Sequence, residues 1–243
     1  MKIIIDQLNF IIGNFDQVIV AIQNKFKTRG ITVLPCSLND LATKKFNPNY
    51  EIYYQNVDVC TTDSMILTKW LSYKLGLKIE RVYGPDLLLA LFKKTNLEPG
   101  KTFFLGANKQ MLEQLKNKLA IKNNNQFNFI TLSKTATEKE EELVLTTIIK
   151  AKPNFLWLGI GSPKQIELAY KLRKQLPKTH IFCVGAALDF ISGNKKQAPI
   201  WMQKNGLEWL FRLISEPQRL WNRYLISIPK YIFLKLIEKL LLK

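Results

Sequence analysis

Three places in the sequence carry polar side chains directly after a short apolar run. The first holds Ser37 and Asn39, and the second holds Asp63. The third is the stretch FLWLGIGSPK, residues 155–164, in which four apolar residues lead into a glycine-rich loop. An apolar run bounded by turn residues is typical of a buried strand. These strand ends are therefore the candidate sites of chemistry.

The glycine-rich loop has the features of a phosphate-binding turn. Gly159 and Gly161 allow the backbone to turn sharply and a ligand to approach it closely. A helical pattern begins at Lys164, and the first N–H groups of a helix suit phosphate oxygens. We expect Lys164 and Gln165 to meet phosphate or a sugar hydroxyl; the alternative is a solvated first turn. Lys164 stands where GxGxxG has its third glycine, so dinucleotide binding is only weakly indicated.

Asp63 is the candidate acid–base residue, because it follows a predicted strand, residues 57–60, and precedes a predicted helix. A carboxylate at such a junction can point into the crevice where a substrate binds. The alternative role is that of a helix N-cap, a position at which aspartate is favoured. The residue pattern leaves both roles open.

Three arginines in the C-terminal part are candidates for phosphate binding. Arg219 and Arg223 lie four residues apart on one face of a helix that is predicted to begin at Pro217, and Arg212 lies one helix earlier. Arginine matches phosphate with paired donors. The alternative is a solvated basic face. Residues 195–243 contain ten Lys or Arg and three Glu, a net charge of +7.

The last fifteen residues, PKYIFLKLIEKLLLK, form a basic amphipathic pattern. Its apolar positions repeat at i, i+1, i+4 and i+5: Ile232, Phe233, Leu236, Ile237, Leu240 and Leu241. Lys235, Lys239 and Lys243 are spaced four residues apart beside them. The segment is too short and too charged to span a bilayer, and it predicts contact with an anionic membrane surface. The alternative is a helix docked on the core or on a second subunit.

Composition limits the classes of partner and site. The chain has 243 residues and a formal net charge of +17, which favours nucleic acid, an anionic membrane or phosphorylated substrates as partners. Three cysteines cannot all pair, there is one histidine and no CxxC occurs, so we expect neither a disulfide framework nor a metal site. No signal peptide or membrane-spanning run is apparent, which predicts a cytoplasmic protein.

Predicted strands alternate with helices of ten or more residues up to about residue 193. This order predicts an α/β, Rossmann-like fold, with a mainly parallel sheet and helices on both faces. We assign residues 1–194 to this catalytic core and residues 195–243 to a helical C-terminal appendage. Ligands of such sheets bind at the carboxyl ends of the strands, where the three polar strand ends would meet.

Residues 197–225, QAPIWMQKNGLEWLFRLISEPQRLWNRYL, closely resemble the C-terminal signature of the WecG/TagA/CpsF glycosyltransferases. The blocks GIGSPKQ, VGAALDFISG, ERVYGPDLL and TTDSM match that family too, so the resemblance covers most of the chain. It implies an inverting transferase that moves a sugar, N-acetylmannosamine or a related one, from a UDP-sugar to a polyprenyl-diphosphate-linked sugar. Such enzymes serve bacterial surface polysaccharide or teichoic acid synthesis, and the resemblance implies no cofactor.

The resemblance also implies roles for single residues. Asp63 matches the proposed general base of the family, although Ser64 follows it where the family usually has glycine. The remaining matches are to the Thr-x-Asn block, the basic residue of the ERV-G block and the phosphate-binding arginines: Ser37, Asn39, Arg81, Arg212, Arg219 and Arg223. The appendage would reach the membrane and help to close the site, which predicts a peripheral protein on the inner face of the bacterial cytoplasmic membrane.

Two other functions fit the composition. A basic nucleotide- or nucleic-acid-binding module without transferase activity would explain the charge, but the basic residues are spread through the chain and no DNA- or RNA-binding motif is present. We therefore expect no nucleic acid partner. A nucleotide-sugar epimerase or dehydrogenase is disfavoured by the missing GxGxxG. The aromatic surface of the appendage would be buried in lipid or between subunits of a homo-oligomer.

Overall fold

The computed structural model describes residues 1–95, 100–119, 127–133 and 135–241. Within these ranges the strands are β1 (Lys2–Ile5), β2 (Leu8–Ile11), β3 (Thr32–Cys36), β4 (Val59–Thr62), β5 (Thr102–Gly106), β6 (Phe127–Thr131), β7 (Phe155–Gly159) and β8 (His180–Cys183). The helices of the core are α1 (Phe15–Lys25), α2 (Leu38–Phe46), α3 (Pro48–Tyr54), α4 (Met65–Leu75), α5 (Gly84–Lys94), α6 (Lys109–Lys118), α7 (Glu138–Ala151), α8 (Lys164–Arg173) and α9 (Ala187–Ser192).

The helices that follow α9 are α10 (Ile200–Asn205), α11 (Glu208–Ser215), α12 (Pro217–Trp221) and α13 (Ile228–Leu241), with a π-helical segment, Asn222–Ser227, between the last two. No strand follows β8 within the described part of the chain. This part corresponds to the predicted appendage, and its separation as a domain at residue 195 remains a prediction. Of the predicted amphipathic tail, Lys243 and the side chains of Lys239, Leu240 and Leu241 lie outside the described residues.

The strands form one sheet in the order β1-β2-β4-β3-β8-β7-β5-β6. Among the strands of the described ranges only the β1–β2 pair is antiparallel, and each other neighbouring pair is parallel. The central strands β3, β5 and β7 are buried along their whole length, as expected for parallel strands that are covered on both faces. The predicted mainly parallel α/β sheet is confirmed.

Two hydrophobic cores cover the two faces of the sheet. One contains apolar side chains of α2, α4, α7, α8 and α13, and the other contains those of α1, α5, α6 and α9. The chain leaves β3 into α2 on the first face and leaves the neighbouring β8 into α9 on the second face. The connections therefore diverge between β3 and β8, which opens a crevice at the carboxyl ends of these strands.

Helices α3, α6 and α9 have no counterpart among the sequence predictions. Helix α3 has seven residues and α9 has six, too few to show a helical period. Helix α6 is mostly polar, and it is held by the apolar side chains of Met111, Leu112 and Leu115 and by the cap of Asn108. Tertiary packing, more than local pattern, therefore determines these three helices.

Helix α13 is docked on the core by one face. Tyr231 is buried and its hydroxyl donates to the carboxylate of Asp6 at 2.5 Å, while Lys235 forms an ion pair with Asp6 at 2.6 Å. Away from this face, Ile232, Phe233 and Leu236 of the predicted apolar stripe are exposed, with Phe233 63% accessible. The alternative of a docked helix is thus correct for one face, and contact of the other face with a membrane remains a prediction.

Candidate functional site

A cavity of about 560 Å³ lies at the carboxyl edge of the sheet. Its walls come from the loops that follow β3, β5, β7 and β8, the strands around the divergence of the chain. The glycine-rich loop forms one side of it, and Lys195 and Arg219 of the C-terminal part lie at the other. We call this space the carboxyl-edge cavity; the fold places it where open α/β sheets bind ligands.

A second cavity of about 380 Å³ lies between the start of α4 and the C-terminal helices. Apolar side chains dominate its wall, among them Met65, Ile66, Trp209, Leu225 and Ile232. We call this space the appendage cavity. Its composition suits a ligand with an apolar part, whereas the carboxyl-edge cavity is lined by polar loops.

Within the described part of the chain, five residues line both cavities: Ser37, Asn39, Asp63, Arg212 and Arg223. Each of them is a candidate site residue predicted from the sequence. They come from the ends of β3 and β4 and from the appendage, so the fold brings together side chains that are up to 186 positions apart. Their shared position places polar groups where ligands of the two cavities would meet.

Asp63 is not the N-cap of α4. That role belongs to Ser64, whose hydroxyl accepts from the amide of Leu67 at 3.5 Å. The carboxylate of Asp63 instead accepts from the amide of Gly84 at 3.2 Å. The serine that replaces the usual glycine of the resembled motif therefore caps the helix, and Asp63 faces the two cavities.

Gly84 packs against the loop that follows β8, where a side chain would not fit. A Cβ at this position would lie 2.8 Å from the carbonyl oxygen of Val184, which a real Cβ does not tolerate. A side chain would not fit at Gly159 either, since a Cβ at this position would lie 2.3 Å from the Cδ1 of Leu188. The packing of α9 therefore requires this glycine, whether or not a ligand is bound. Gly161 has a φ of +92° and faces open space.

Burial raises the pKa of the Asp63 carboxyl above its ordinary value of 3.8. The Arg81 guanidinium opposes this shift, the negative charge of Glu208 adds to it, and the net direction is upward. A carboxylate with a raised pKa is a stronger base than a solvated one. The electrostatic surroundings of Asp63 thus suit the removal of a proton.

Arg81 and Arg212 are joined through a single carboxylate. Arg81 donates to the backbone carbonyl of Asp63 at 2.5 Å and forms an ion pair with Glu208 at 2.7 Å. Glu208 forms a second ion pair with Arg212 at 3.0 Å. Glu208 and Arg212 belong to α11, so this triad ties the appendage to the loop that holds Asp63.

Ser37 is oriented by its neighbours. Its hydroxyl donates to the carboxylate of Asp40 at 2.6 Å, and its amide donates to the same oxygen at 2.8 Å. Arg223 donates to the hydroxyl oxygen of Ser37 at 3.4 Å. Because Asp40 takes the hydroxyl hydrogen, the oxygen of Ser37 presents lone pairs to the cavities.

The remaining appendage arginine, Arg219, lines the carboxyl-edge cavity and forms an ion pair with Glu216 at 2.5 Å. Half of its side chain is exposed, so it stands at the rim of the cavity. Lys195 pairs with the same glutamate at 2.9 Å. Two cations therefore face this side of the cavity around one carboxylate.

Lys164 and Gln165 line the carboxyl-edge cavity, but protein groups engage both side chains. Lys164 pairs with Glu141 and Glu167. The amide group of Gln165 donates to Ser162 and to the carbonyl of Cys183, and its oxygen accepts from the amide of Gly185 at 2.8 Å. Gln165 thus joins the loops that follow β7 and β8.

The first amides of α8 are less available to a ligand than the sequence pattern predicts. The amide of Gln165 donates to the carbonyl of Gly161, and those of Ile166 and Glu167 donate to the carbonyl of Pro163. The bond of Glu167 is the first regular i→i−4 bond of the helix, whereas Gln165 and Ile166 belong to the first turn, so two of the amides that were expected to be free have protein partners. Contact of this loop with phosphate remains a prediction.

Sequence reasoning missed two acidic residues of the site, Glu208 and Asp40. Glu208 stands four residues before Arg212, a spacing that pairs side chains on a helix. Asp40 stands three residues after Ser37 and completes a capping box at the start of α2. Both signals are present in the sequence, but their link to the cavities depends on the fold.

Two properties of the described ranges bear on partners. No helix there combines the length and apolar character that crossing a membrane requires. In the same ranges no three His, Cys, Asp or Glu side chains cluster in a way that could hold a metal ion. The three cysteines, Cys36, Cys60 and Cys183, are buried and unpaired.

Comparison with known proteins places this geometry in context. A family model described as "Glycosyl transferase WecG/TagA/CpsF family" matches residues 4–243. Two similar proteins bear the name N-acetylglucosaminyldiphosphoundecaprenol N-acetyl-beta-D-mannosaminyltransferase. That of Bacillus subtilis (strain 168) is 31% identical over 161 residues, 65% of this chain and 60% of the relative. That of Bacillus spizizenii (strain ATCC 23059 / NRRL B-14472 / W23) is 28% identical over 189 residues, 76% of this chain and 71% of the relative. The matched region thus spans less than two thirds of the first relative.

Proposed function

Because the chain belongs to the WecG/TagA/CpsF family of glycosyl transferases, we propose that it transfers a sugar from a UDP-sugar to a polyprenyl-diphosphate-linked acceptor. The sugar is N-acetylmannosamine or a close relative, as the names of the Bacillus relatives suggest. The reaction inverts the anomeric carbon and serves the synthesis of a bacterial surface polysaccharide or teichoic acid.

The observation that carries this proposal is the position of Asp63 between two cavities of different chemistry. A transferase has to hold two substrates with their reacting atoms in contact and a base beside them. Asp63 has the raised pKa of a base, and it lines both spaces. This arrangement supports a two-substrate reaction at the wall that the cavities share.

The carboxyl-edge cavity is the proposed donor site. It lies at the divergence of the parallel sheet, where nucleotides bind in folds of this type. Arg212, Arg219 and Arg223 reach it from the appendage. Their guanidinium groups match the oxygens of a diphosphate with paired donors, so they would hold the UDP part of the donor.

The appendage cavity is the proposed acceptor site. Its apolar wall opens between α4 and α13, whose free face is apolar, and this suits an acceptor with a lipid tail. The sugar of the acceptor would enter head first, so that its hydroxyl reaches Asp63. We propose that the protein lies peripherally on the inner face of the cytoplasmic membrane, where such a lipid would be met.

The chemistry is one displacement. Asp63 takes the proton of the acceptor hydroxyl while that oxygen forms a bond to the anomeric carbon of the donor. The bond between that carbon and the diphosphate oxygen breaks, and UDP leaves with the electron pair. Arg212 and Arg223, which line both cavities, would stabilise the negative charge that develops on the leaving group.

The test is sugar transfer from a panel of UDP-sugars to a short-chain acceptor that carries N-acetylglucosamine diphosphate. We expect Asp63→Asn to lower kcat by roughly 100- to 10,000-fold, the usual range for the loss of a general base. The asparagine keeps an oxygen that accepts from Gly84, so UDP binding and folding should persist. Calorimetry with UDP and thermal unfolding check both.

Asp16→Asn is the matched control, because Asp16 lies on α1 in an exposed ion pair with Lys94. Transfer that is unchanged in Asp63→Asn would remove Asp63 from the mechanism. Failure of the wild type to bind UDP, together with salt-sensitive binding of oligonucleotides, would support the nucleic-acid-binding alternative instead.

A further inference from the structure

Helix α4 belongs to the core, yet one of its faces is apolar and exposed. Ile66, Trp70 and Tyr73 follow one another at the spacing i, i+4, i+7 and form a single stripe. All three are exposed, and Tyr73 is 89% accessible. The opposite face of α4, with Leu67 and Leu71, is buried against the sheet. The fold requires only the buried face of α4 to be apolar, so packing within the chain does not account for the apolar stripe.

This stripe begins at the mouth of the appendage cavity. Ile66 lines that cavity, and Trp70 and Tyr73 continue from it along the helix. Across the mouth, Leu225 and Ile232 line the same cavity and are exposed as well. The opening is thus bordered by exposed apolar side chains from the core on one side and from the appendage on the other.

The charged side chains of the α4 segment itself have one sign. The segment from Ser64 to Ile79 contains three lysines, Lys69, Lys74 and Lys78, and no Asp or Glu. The three lysines are exposed, and the ammonium of Lys74 lies 5.1 Å from the ring centre of Trp70. A surface that binds anionic lipid typically combines exposed aromatic and apolar side chains with cations.

We propose that the exposed face of α4 is a membrane-contact surface in its own right. Together with the free face of α13 it seats the mouth of the appendage cavity on an anionic bilayer. The inference rests on the proposed lipid-linked acceptor, whose sugar would then pass from the headgroup layer into the cavity without crossing bulk water. Membrane contacts on both sides of the opening fix its orientation relative to the bilayer, whereas contact through a single helix does not.

Tyr73→Cys in the full chain, labelled with an environment-sensitive fluorophore, tests the proposal. The native cysteines are buried, so the label attaches at the introduced site. We expect the emission of the fluorophore to shift to the blue when vesicles of phosphatidylcholine and phosphatidylglycerol are added. Lipids that carry a quencher on the acyl chain close to the headgroup should also quench this emission. Val20→Cys is the control, because Val20 is exposed on α1, on the other face of the sheet.

A double variant tests how much the stripe contributes to the affinity for membranes. Trp70→Gln with Tyr73→Gln should weaken vesicle binding by about tenfold or more, because two large apolar side chains then no longer pass from water into the bilayer. Transfer to a short-chain acceptor in solution should be unchanged, because neither residue lines a cavity. Vesicle binding needs no sugar substrate, so its outcome is separate from that of the transferase assay.

Two outcomes would overturn the proposal. If a label at Phe233→Cys enters the bilayer and the label at Tyr73 stays in water, α13 alone contacts the membrane. If the label at Tyr73 shifts on concentrating the protein without vesicles, and analytical ultracentrifugation shows a dimer, the α4 face is a contact between two copies of the chain.

Discussion

Asp63 is surrounded by charges that act on its pKa in opposite directions. Burial raises the pKa most, Arg81 and Arg212 lower it, and Glu208 and Asp40 raise it. The net shift is upward, so the proton is held more tightly than by a solvated carboxyl. The position favours a base over a permanently ionised group that only binds cations.

The pH profile of transfer should report this shift. A general base must be deprotonated, so a raised pKa moves the acidic limb of kcat/KM to a pH above the ordinary value of 3.8. Arg81→Gln removes a charge that lowers the pKa of Asp63, and the limb should move to still higher pH. Arg29→Gln, which removes an exposed arginine, should leave it in place. If the acidic limb of kcat/KM lies at the same pH in Arg81→Gln as in Arg29→Gln, the assignment of Asp63 as the general base is contradicted.

At the scale of single residues, the sequence predicts which site residues lie together, but not the hydrogen bonds that hold them in place. Asp63, Ser37 and Asn39 follow from strand ends, and the arginines from the resembled signature. Ser64 as the actual cap, and Gly84 as the donor to Asp63, depend on loop geometry that a linear pattern does not contain. The hydrogen bonds of Gln165 reach Gly185, twenty residues away, for the same reason.

At the scale of elements, Gln165 fixes the two loops that bound the carboxyl-edge cavity. Gln165→Leu keeps the approximate volume but leaves the Cys183 carbonyl and the Gly185 amide without their partner. We expect the free energy of unfolding to fall by about 1–3 kcal/mol for each buried group left unsatisfied. Urea unfolding measures this, with the exposed Gln175→Leu as control; equal stability of both variants would show that the loops are held by other contacts.

Glu208 is a positioning residue that links α11 to the loop of Arg81. Glu208→Gln leaves Arg81 and Arg212 without the charge that separates them. The pairs are partly buried, so we expect a loss of about 1–3 kcal/mol, between values typical of exposed and of buried ion pairs. Arg212 also lines both cavities, and KM for the UDP-sugar should therefore rise more than kcat falls.

The matched control for that variant is Glu238→Gln on α13, whose ion pairs with Lys45 and Lys235 are exposed. Its kinetics should equal those of the wild type. If the two glutamine variants lose stability alike while KM stays constant in both, Glu208 supports the fold only. The Glu208–Arg212 spacing could have been noticed in the sequence, but its contact with Arg81, 127 positions away, could not.

At the scale of the whole molecule, the positive charge acts over distances larger than any single contact. The chain carries +17, and three lysines of the α4 segment add to the basic appendage near one opening. We expect binding to anionic vesicles to weaken steeply as salt rises, because screening shortens the range of these charges. Transfer to a short-chain acceptor in solution should respond much less.

Co-sedimentation with vesicles at increasing salt measures the first quantity, and the transfer assay under the same conditions measures the second. Vesicles of phosphatidylcholine alone are the control, since they lack the anionic headgroup. A salt response that is identical for anionic and neutral vesicles would mean that the net charge does not direct the protein to membranes.

The overall architecture was the most predictable level. The alternation of strands and helices predicted the parallel sheet, because the two periods differ and recur along the chain. Docking of α13 on the core is one of the alternatives that the sequence leaves open, but its partner is not predictable, because Asp6 lies in the β1–β2 hairpin at the other end of the sequence. A basic amphipathic helix has the same pattern whether a protein or a lipid covers its faces.

The wall that the two cavities share has a thermodynamic consequence. Arg212 and Arg223 face both spaces, so an anion in either one neutralises charge that the other also uses. The affinities for two diphosphate ligands are then linked, and each ligand changes the binding of the other by the same factor. UDP left behind after a turnover would be held less tightly once a fresh anionic lipid arrives, so the incoming substrate would help to expel the spent nucleotide.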